Sequence, residues 1–265
     1  KSIHVNQKIK IVMSENKTDQ NSFVSHLVEL RSRLIKALVF IFVIFVFGYI
    51  FAENIYNFLV EPYAKAVRDD GVDRRLIYTA LHETFITYLK VALFSAFFLG
   101  SPIVLTQIWK FVAPGLYQNE KKALLPYLIA TPILFLLGGM LIYYLVMPLA
   151  IKFFLSFETS ASMTSLPIQL EAKVNEYLSL IMRLIFAFGL SFQLPVLLNL
   201  LARVGAIDSK YLKERRRYFI VIIFAAAAIL TPPDPITQIG LAIPLLILYE
   251  LSILSVKLTE KKNNA

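Results

Sequence analysis

Glu120 is an acid in a basic neighbourhood: Lys110 lies before it, and Lys121 and Lys122 follow at once. A carboxylate so placed can receive a cationic ligand. Arginine suits it best, because the planar guanidinium fork matches a carboxylate in bidentate fashion. The stretch around it runs Gln107-Ile108-Trp109-Lys110-Phe111-Val112-Ala113-Pro114-Gly115-Leu116-Tyr117-Gln118-Asn119-Glu120. Its Trp and Tyr are of the kind that anchor a chain at a membrane–water interface.

A second constellation is Ser25-His26-Leu27-Val28-Glu29-Leu30-Arg31-Ser32-Arg33-Leu34. Phe23, Leu27, Leu30 and Leu34 recur at helical spacing and form one apolar stripe. His26, Glu29 and Arg33 fall on another face, and Glu29–Arg33 is a favourable i,i+4 pair. Two readings fit: an interfacial amphipathic helix, or a docking surface for a charged peptide. A third set is polar groups within apolar runs: Arg183, Gln193, Asn199, Gln238 and Glu250. Such residues are costly in a membrane and often functional, although hydrogen bonding between helices is their commoner role. Arg183 can snorkel outward on its long stem.

Other chemistries find no residues to carry them. HExxH, GxSxG, P-loop and GxGxxG patterns are all missing. His4, His26 and His82 are isolated from one another, and the chain has no cysteine. Thiol catalysis, disulfides and cysteine-held metals are therefore excluded, and no cofactor is expected.

The elements that must position these residues are apolar runs. The chain of 265 residues is 57% hydrophobic with mean hydropathy +0.65. The runs are 35–52, 91–104, 124–151, 177–202, 218–230 and 236–249. About 20 helical residues cross roughly 30 Å of hydrocarbon. The first four runs meet that length with their flanks, whereas runs five and six look short. They are joined by Thr231-Pro232-Pro233-Asp234-Pro235, which cannot continue a helix. Either two short spans or a re-entrant hairpin fits; two short spans are favoured.

Basic residues set the topology. Of 27 Lys and Arg, 19 fall in the segment up to Lys36 at the start of run one, between runs two and three, between runs four and five, or after run six. Six fall in the remaining gaps, and Lys90 and Arg183 are counted with runs two and four. By the positive-inside rule both termini face the cytoplasm and six spans are needed. The +9 charge then reflects topology rather than nucleic-acid binding. Pro102, Pro126, Pro132, Pro148, Pro195 and Pro244 sit in or beside runs and tend to kink them, giving a concave frame. The expected organisation is a leader at 1–12, a cytoplasmic N-terminal segment at 13–36, one membrane domain over 22–258 and a cytoplasmic tail at 259–265. The first run is too long for a cleaved signal peptide.

Over about residues 22–258 the chain resembles the TatC family, core subunits of the twin-arginine protein translocase. The carriers are the 26–34 stretch, Pro62 in the first outer loop, Phe85 and Lys90, the 107–117 stretch with Glu120, and Leu230-Thr231-Pro232-Pro233-Asp234 with Gln238. The resemblance implies an all-α fold: six kinked transmembrane helices in a glove-like arrangement, N-in and C-in, in the bacterial inner membrane. It implies binding of twin-arginine signal peptides of folded cargo through Glu29, Arg31, Phe111 and Glu120. It further implies contact with TatA- and TatB-type single-span subunits through the Thr231–Gln238 region, including Pro232, Pro233 and Asp234. Homo-oligomerisation within the complex, and transport driven by the proton-motive force without an enzymatic step, follow from the same resemblance. The family usually has a glutamate in the fourth span, where this chain has Gln193; Gln keeps the size and hydrogen bonds but cannot ionise, so the resemblance leaves Gln193 a role as polar contact for a partner helix. A small-solute or ion transporter is the alternative, and an intramembrane enzyme a remote third.

Overall fold

The computed structural model describes residues 28, 31–68, 75–112, 121–159, 166, 168–203 and 205–263. The described residues are almost entirely helical: α1 (Arg31–Ile50), α2 (Ala52–Arg68), α3 (Glu83–Val112), α4 (Lys121–Leu141), α5 (Met147–Leu155), α6 (Val174–Ser191), α7 (Leu194–Arg203), α8 (Ser209–Glu214), α9 (Arg216–Leu230) and α10 (Pro235–Asn263). Two isolated β-bridges, Ile77 with Lys173 and Thr159 with Ile168, tie loops together.

Five helical segments are long and apolar enough to cross a membrane: Arg31–Ile50, Glu83–Ile108, Leu125–Leu155, Val174–Arg203 and Pro235–Leu258. α9 has 15 residues, about 22 Å of helix. Run six is not short, contrary to the sequence expectation. α10 continues through Leu251, Ile253, Leu254 and Val256, because Glu250 is neutralised by Arg216 of α9 at 2.7 Å and does not end the helix.

At Pro102 and Pro148 the helix adjusts to the missing donor. Pro102 removes the donor for the Phe98 carbonyl, and the Ser101 hydroxyl donates to it instead at 2.8 Å. Ahead of Pro148 the helix widens to a π-turn over Ile142–Val146, where the Met147 N–H reaches the Ile142 carbonyl. Between α6 and α7 the chain breaks at Phe192–Gln193, just before Pro195.

Pro62 lies inside α2 and not in a loop as expected. Leu59, Tyr63, Ala66 and Val67 repeat with helical period and are buried, which outweighs the proline. Its missing N–H frees the Phe58 carbonyl, which accepts from the Tyr143 hydroxyl at 2.6 Å, and the Tyr177 hydroxyl donates to the Leu59 carbonyl at 3.0 Å. The core sits here, where α2 meets the π-turn, α5 and α6 around Ile142, Val146, Leu178 and Ile181.

Helices approach closely at glycines. A side chain on Gly138 of α4 would meet the backbone of α6, with Phe188 O at 2.6 Å. Without a solvent-driven force between helices in lipid, such contacts supply much of the packing energy.

Candidate functional site at the α1–α3–α4 end

The two sequence constellations meet. Arg33, near the start of α1, donates from Nη1 to the Gln107 Oε1 of α3 at 3.3 Å. Gln107 opens the stretch that ends in Glu120, and Arg33 closes the stretch that contains Glu29. Arg31, in the first turn of α1, is exposed. Phe111 lies in the last turn of α3, one turn beyond Gln107. Glu29 and Glu120 lie outside the described residues. In sequence Glu120 directly precedes Lys121, the first residue of α4, and Glu29 precedes Arg33 by four residues.

The same end gathers more cations. Arg203, at the C-terminus of α7, stacks over the Tyr127 ring of α4 at 5.2 Å, and its Nε is buried without a hydrogen-bond partner among the described residues. A cation there complements the helix C-terminus.

The expected partner-contact residues lie elsewhere. Gln193 is buried and donates from Nε2 to the Thr131 carbonyl of α4 at 2.9 Å; its Oε1 has no partner among the described residues. Asn199 donates to the Pro195 carbonyl at 2.8 Å. Thr231 is buried and donates to the Ala227 carbonyl, and Pro232, Pro233 and Asp234 make the tight turn into α10. Gln238 is half-buried in the first turns of α10.

Asp234 is the N-cap of α10. Its Oδ1 accepts from the Thr237 N–H at 2.8 Å and its Oδ2 from the Thr237 hydroxyl; both residues are buried. Asp234→Ala is expected to cost about 1–3 kcal/mol, from the lost cap and the stranded Thr237 hydroxyl. Asp234→Ser should retain most of it. Thermal unfolding in detergent checks this: an Asp234→Ala protein as stable as wild type would assign the residue to surface contact alone.

Sequence reasoning missed the clasp toward the other end of α10. The Tyr249 hydroxyl donates to the Leu212 carbonyl at 2.7 Å, and the Ser209 N–H donates to Glu260 Oε1 at 2.7 Å. Asp208, which caps α8 through the Tyr211 N–H, was its one local signal. Lys90 also finds a partner, donating to Asn175 Oδ1 at 2.7 Å and joining α3 to the start of α6.

A bundle of long apolar helices joined by short polar turns defines the class: a polytopic α-helical membrane protein. The description "Sec-independent protein translocase protein (TatC)" matches residues 25–244. TatC of Magnetococcus marinus is 48% identical over 239 residues, covering 90% of this chain and 85% of that protein. TatC of Rickettsia prowazekii is 44% identical, covering 88% and 91%, and that of Escherichia coli K12 is 33% identical, covering 89% and 88%. A crystal structure described as the twin arginine translocase receptor TatC superposes with TM-score 0.73 at 36% identity, covering 88% of this chain and 98% of that one. The chain belongs to the TatC family and is a component of the Sec-independent protein translocase.

Proposed function

We propose that this chain binds the twin-arginine signal peptides of folded proteins at its cytoplasmic face and organises single-span TatA- and TatB-type subunits for export. The Arg33–Gln107 contact carries the reading, because it draws the stretches bearing Glu29 and Glu120 to one end of the helices. Glu120 receives an arginine of the peptide, with Glu29, Arg31 and Phe111 around it. The charge bias supports an orientation with both termini in the cytoplasm of a bacterial inner membrane. Parity then makes α9 a short sixth span, crossing where the bilayer thins locally.

The apolar part of the signal peptide has a place to lie. A cavity of about 340 Å³ is lined by Phe58, Phe94, Phe98, Leu136, Met140 and Ile185. The turn at Thr231–Asp234 and the polar Gln193 and Gln238 contact partner helices, and the proton-motive force drives transport without an enzymatic step. Homo-oligomers form within the complex. The domain limits follow: one membrane domain over 22–258 behind a cytoplasmic N-terminal segment. An ion transporter would need convergent free charges near the midplane, whereas Glu250 is engaged by Arg216.

Detergent-solubilised protein should capture a peptide with paired arginines and leave one with paired lysines, since only the guanidinium fork engages a carboxylate through two parallel bonds. Equal capture of both would count against the reading.

A further inference from the structure

Three consecutive arginines, Arg215, Arg216 and Arg217, stand at the start of α9, and only the middle one is neutralised. Arg216 pairs with Glu250 of α10 at 2.7 Å. Arg215 and Arg217 are exposed, and among the described residues neither has a carboxylate partner. Cations at a helix N-terminus oppose the macrodipole, so α9 itself gains nothing from them.

Tyrosines hold the planes of these two guanidiniums. Arg215 lies 5.6 Å from the centre of the Tyr211 ring and 5.6 Å from that of Tyr218. Arg217 lies 4.9 Å from the Tyr218 ring centre and donates to the Tyr218 hydroxyl at 3.1 Å. A guanidinium stacked on an aromatic face keeps N–H edges for a planar acceptor. The joint beneath is fixed by the backbone: the Arg215 N–H donates to the Tyr211 carbonyl at 3.0 Å, and the Tyr218 N–H to the Arg215 carbonyl at 2.9 Å. Leu212 between them is buried, and its carbonyl takes the Tyr249 hydroxyl. Topology requires positive charge on this side of the membrane; it does not require stacked, oriented guanidiniums.

Depth and neighbours point to the ligand. The apolar part of α9, Phe219–Leu230, has 12 residues, about 18 Å of helix, against roughly 30 Å of hydrocarbon. So short a span draws its polar start to the level of the lipid phosphates. Val221 and Ile222 follow Tyr218 by three and four residues, on the same helix face, and are 67% and 59% exposed. An acidic protein segment would match the arginines but not this apolar wall; a phospholipid of net negative charge matches both.

We propose that Arg215 and Arg217, backed by Tyr211 and Tyr218, form a discrete site for the phosphate of an anionic phospholipid in the leaflet where α9 begins, with its acyl chains along Val221 and Ile222. The guanidinium edges donate to the phosphate oxygens. Zwitterionic lipid is disfavoured, because its own ammonium offsets the phosphate charge. The site makes no use of Glu29 or Glu120.

The test is lipid binding by the purified full-length protein in a neutral detergent, read by native mass spectrometry during titration with phosphatidylglycerol or phosphatidylcholine. Wild type should bind phosphatidylglycerol about tenfold tighter or more. The Arg215→Gln, Arg217→Gln double variant should lose that preference. Arg215→Lys with Arg217→Lys should keep part of it, since the charge remains but the fork is gone. Lys257→Gln removes an exposed cation of α10 outside the site and should leave the preference unchanged. Unaltered thermal unfolding confirms that each variant is folded. Should the double glutamine variant not fold, Arg217→Gln alone serves and should lower the preference about fivefold. Equal binding of the two lipids by wild type overturns the proposal, as does an undiminished preference in the glutamine variants. An equal loss in Lys257→Gln means diffuse charge and overturns it too. Full displacement of phosphatidylglycerol by equimolar inorganic phosphate makes the ligand a free anion and overturns it equally. Glutamine variants that keep the lipid but lose co-purified single-span subunits assign the arginines to an acidic protein segment, and the proposal falls.

Discussion

Glu120→Ala and Glu120→Gln are expected to reduce twin-arginine peptide binding at least about 100-fold, to below detection in a pull-down. A charge-assisted hydrogen bond contributes roughly 1.5–3 kcal/mol, and a bidentate pair makes two. Removing the acid also leaves the guanidinium facing a stretch whose sequence carries Lys110, Lys121 and Lys122, and like charges repel. The glutamine variant carries the argument. It keeps the size of the side chain and an accepting oxygen but loses the charge. Glu120→Asp should retain part of the binding. Normal binding by folded Glu120→Gln protein would mean that shape, not charge, reads the peptide.

Gly138→Val is expected to be the most damaging packing substitution, costing on the order of 3 kcal/mol or more. A Cβ there meets the Phe188 carbonyl oxygen at 2.6 Å, its carbon at 2.9 Å and the Gly189 Cα at 3.0 Å. All three are backbone atoms, so no rotamer change relieves the clash, and α4 must separate from α6. Ala228→Val on the exposed face of α9 adds the same methyl groups where nothing opposes them and should be silent. Size-exclusion profiles after a heating series check the pair. A Gly138→Val protein that survives heating like Ala228→Val would refute the close α4–α6 crossing.

The long apolar spans were legible because hydropathy is a sum over many residues and tolerates local error. Helix ends were less so. The uncharged stretch of run six stops at Glu250, whose neutralising partner Arg216 lies 34 positions away. Pro62 enters as a loop residue through the family resemblance. The compensating hydroxyls of Tyr143 and Tyr177 lie on other elements, and no local pattern announces them. At the site, charge contrast singles out Glu120, helical spacing pairs Glu29 with Arg33, and their binding roles come from the family resemblance; the Arg33–Gln107 contact joining their stretches is a tertiary fact. Asp234 was read through its motif as a partner contact, and its capping of Thr237 gives that motif a reason within the fold.

The account depends on an acid at the cytoplasmic surface. The absence of cysteine from the chain permits a direct measurement: Asn119→Cys, next to Glu120, probed with a membrane-impermeant maleimide from each side of sealed vesicles. Labelling from the cytoplasmic side alone is the predicted result. Labelling from the outer side would contradict the account, because incoming signal peptides would then never meet Glu120.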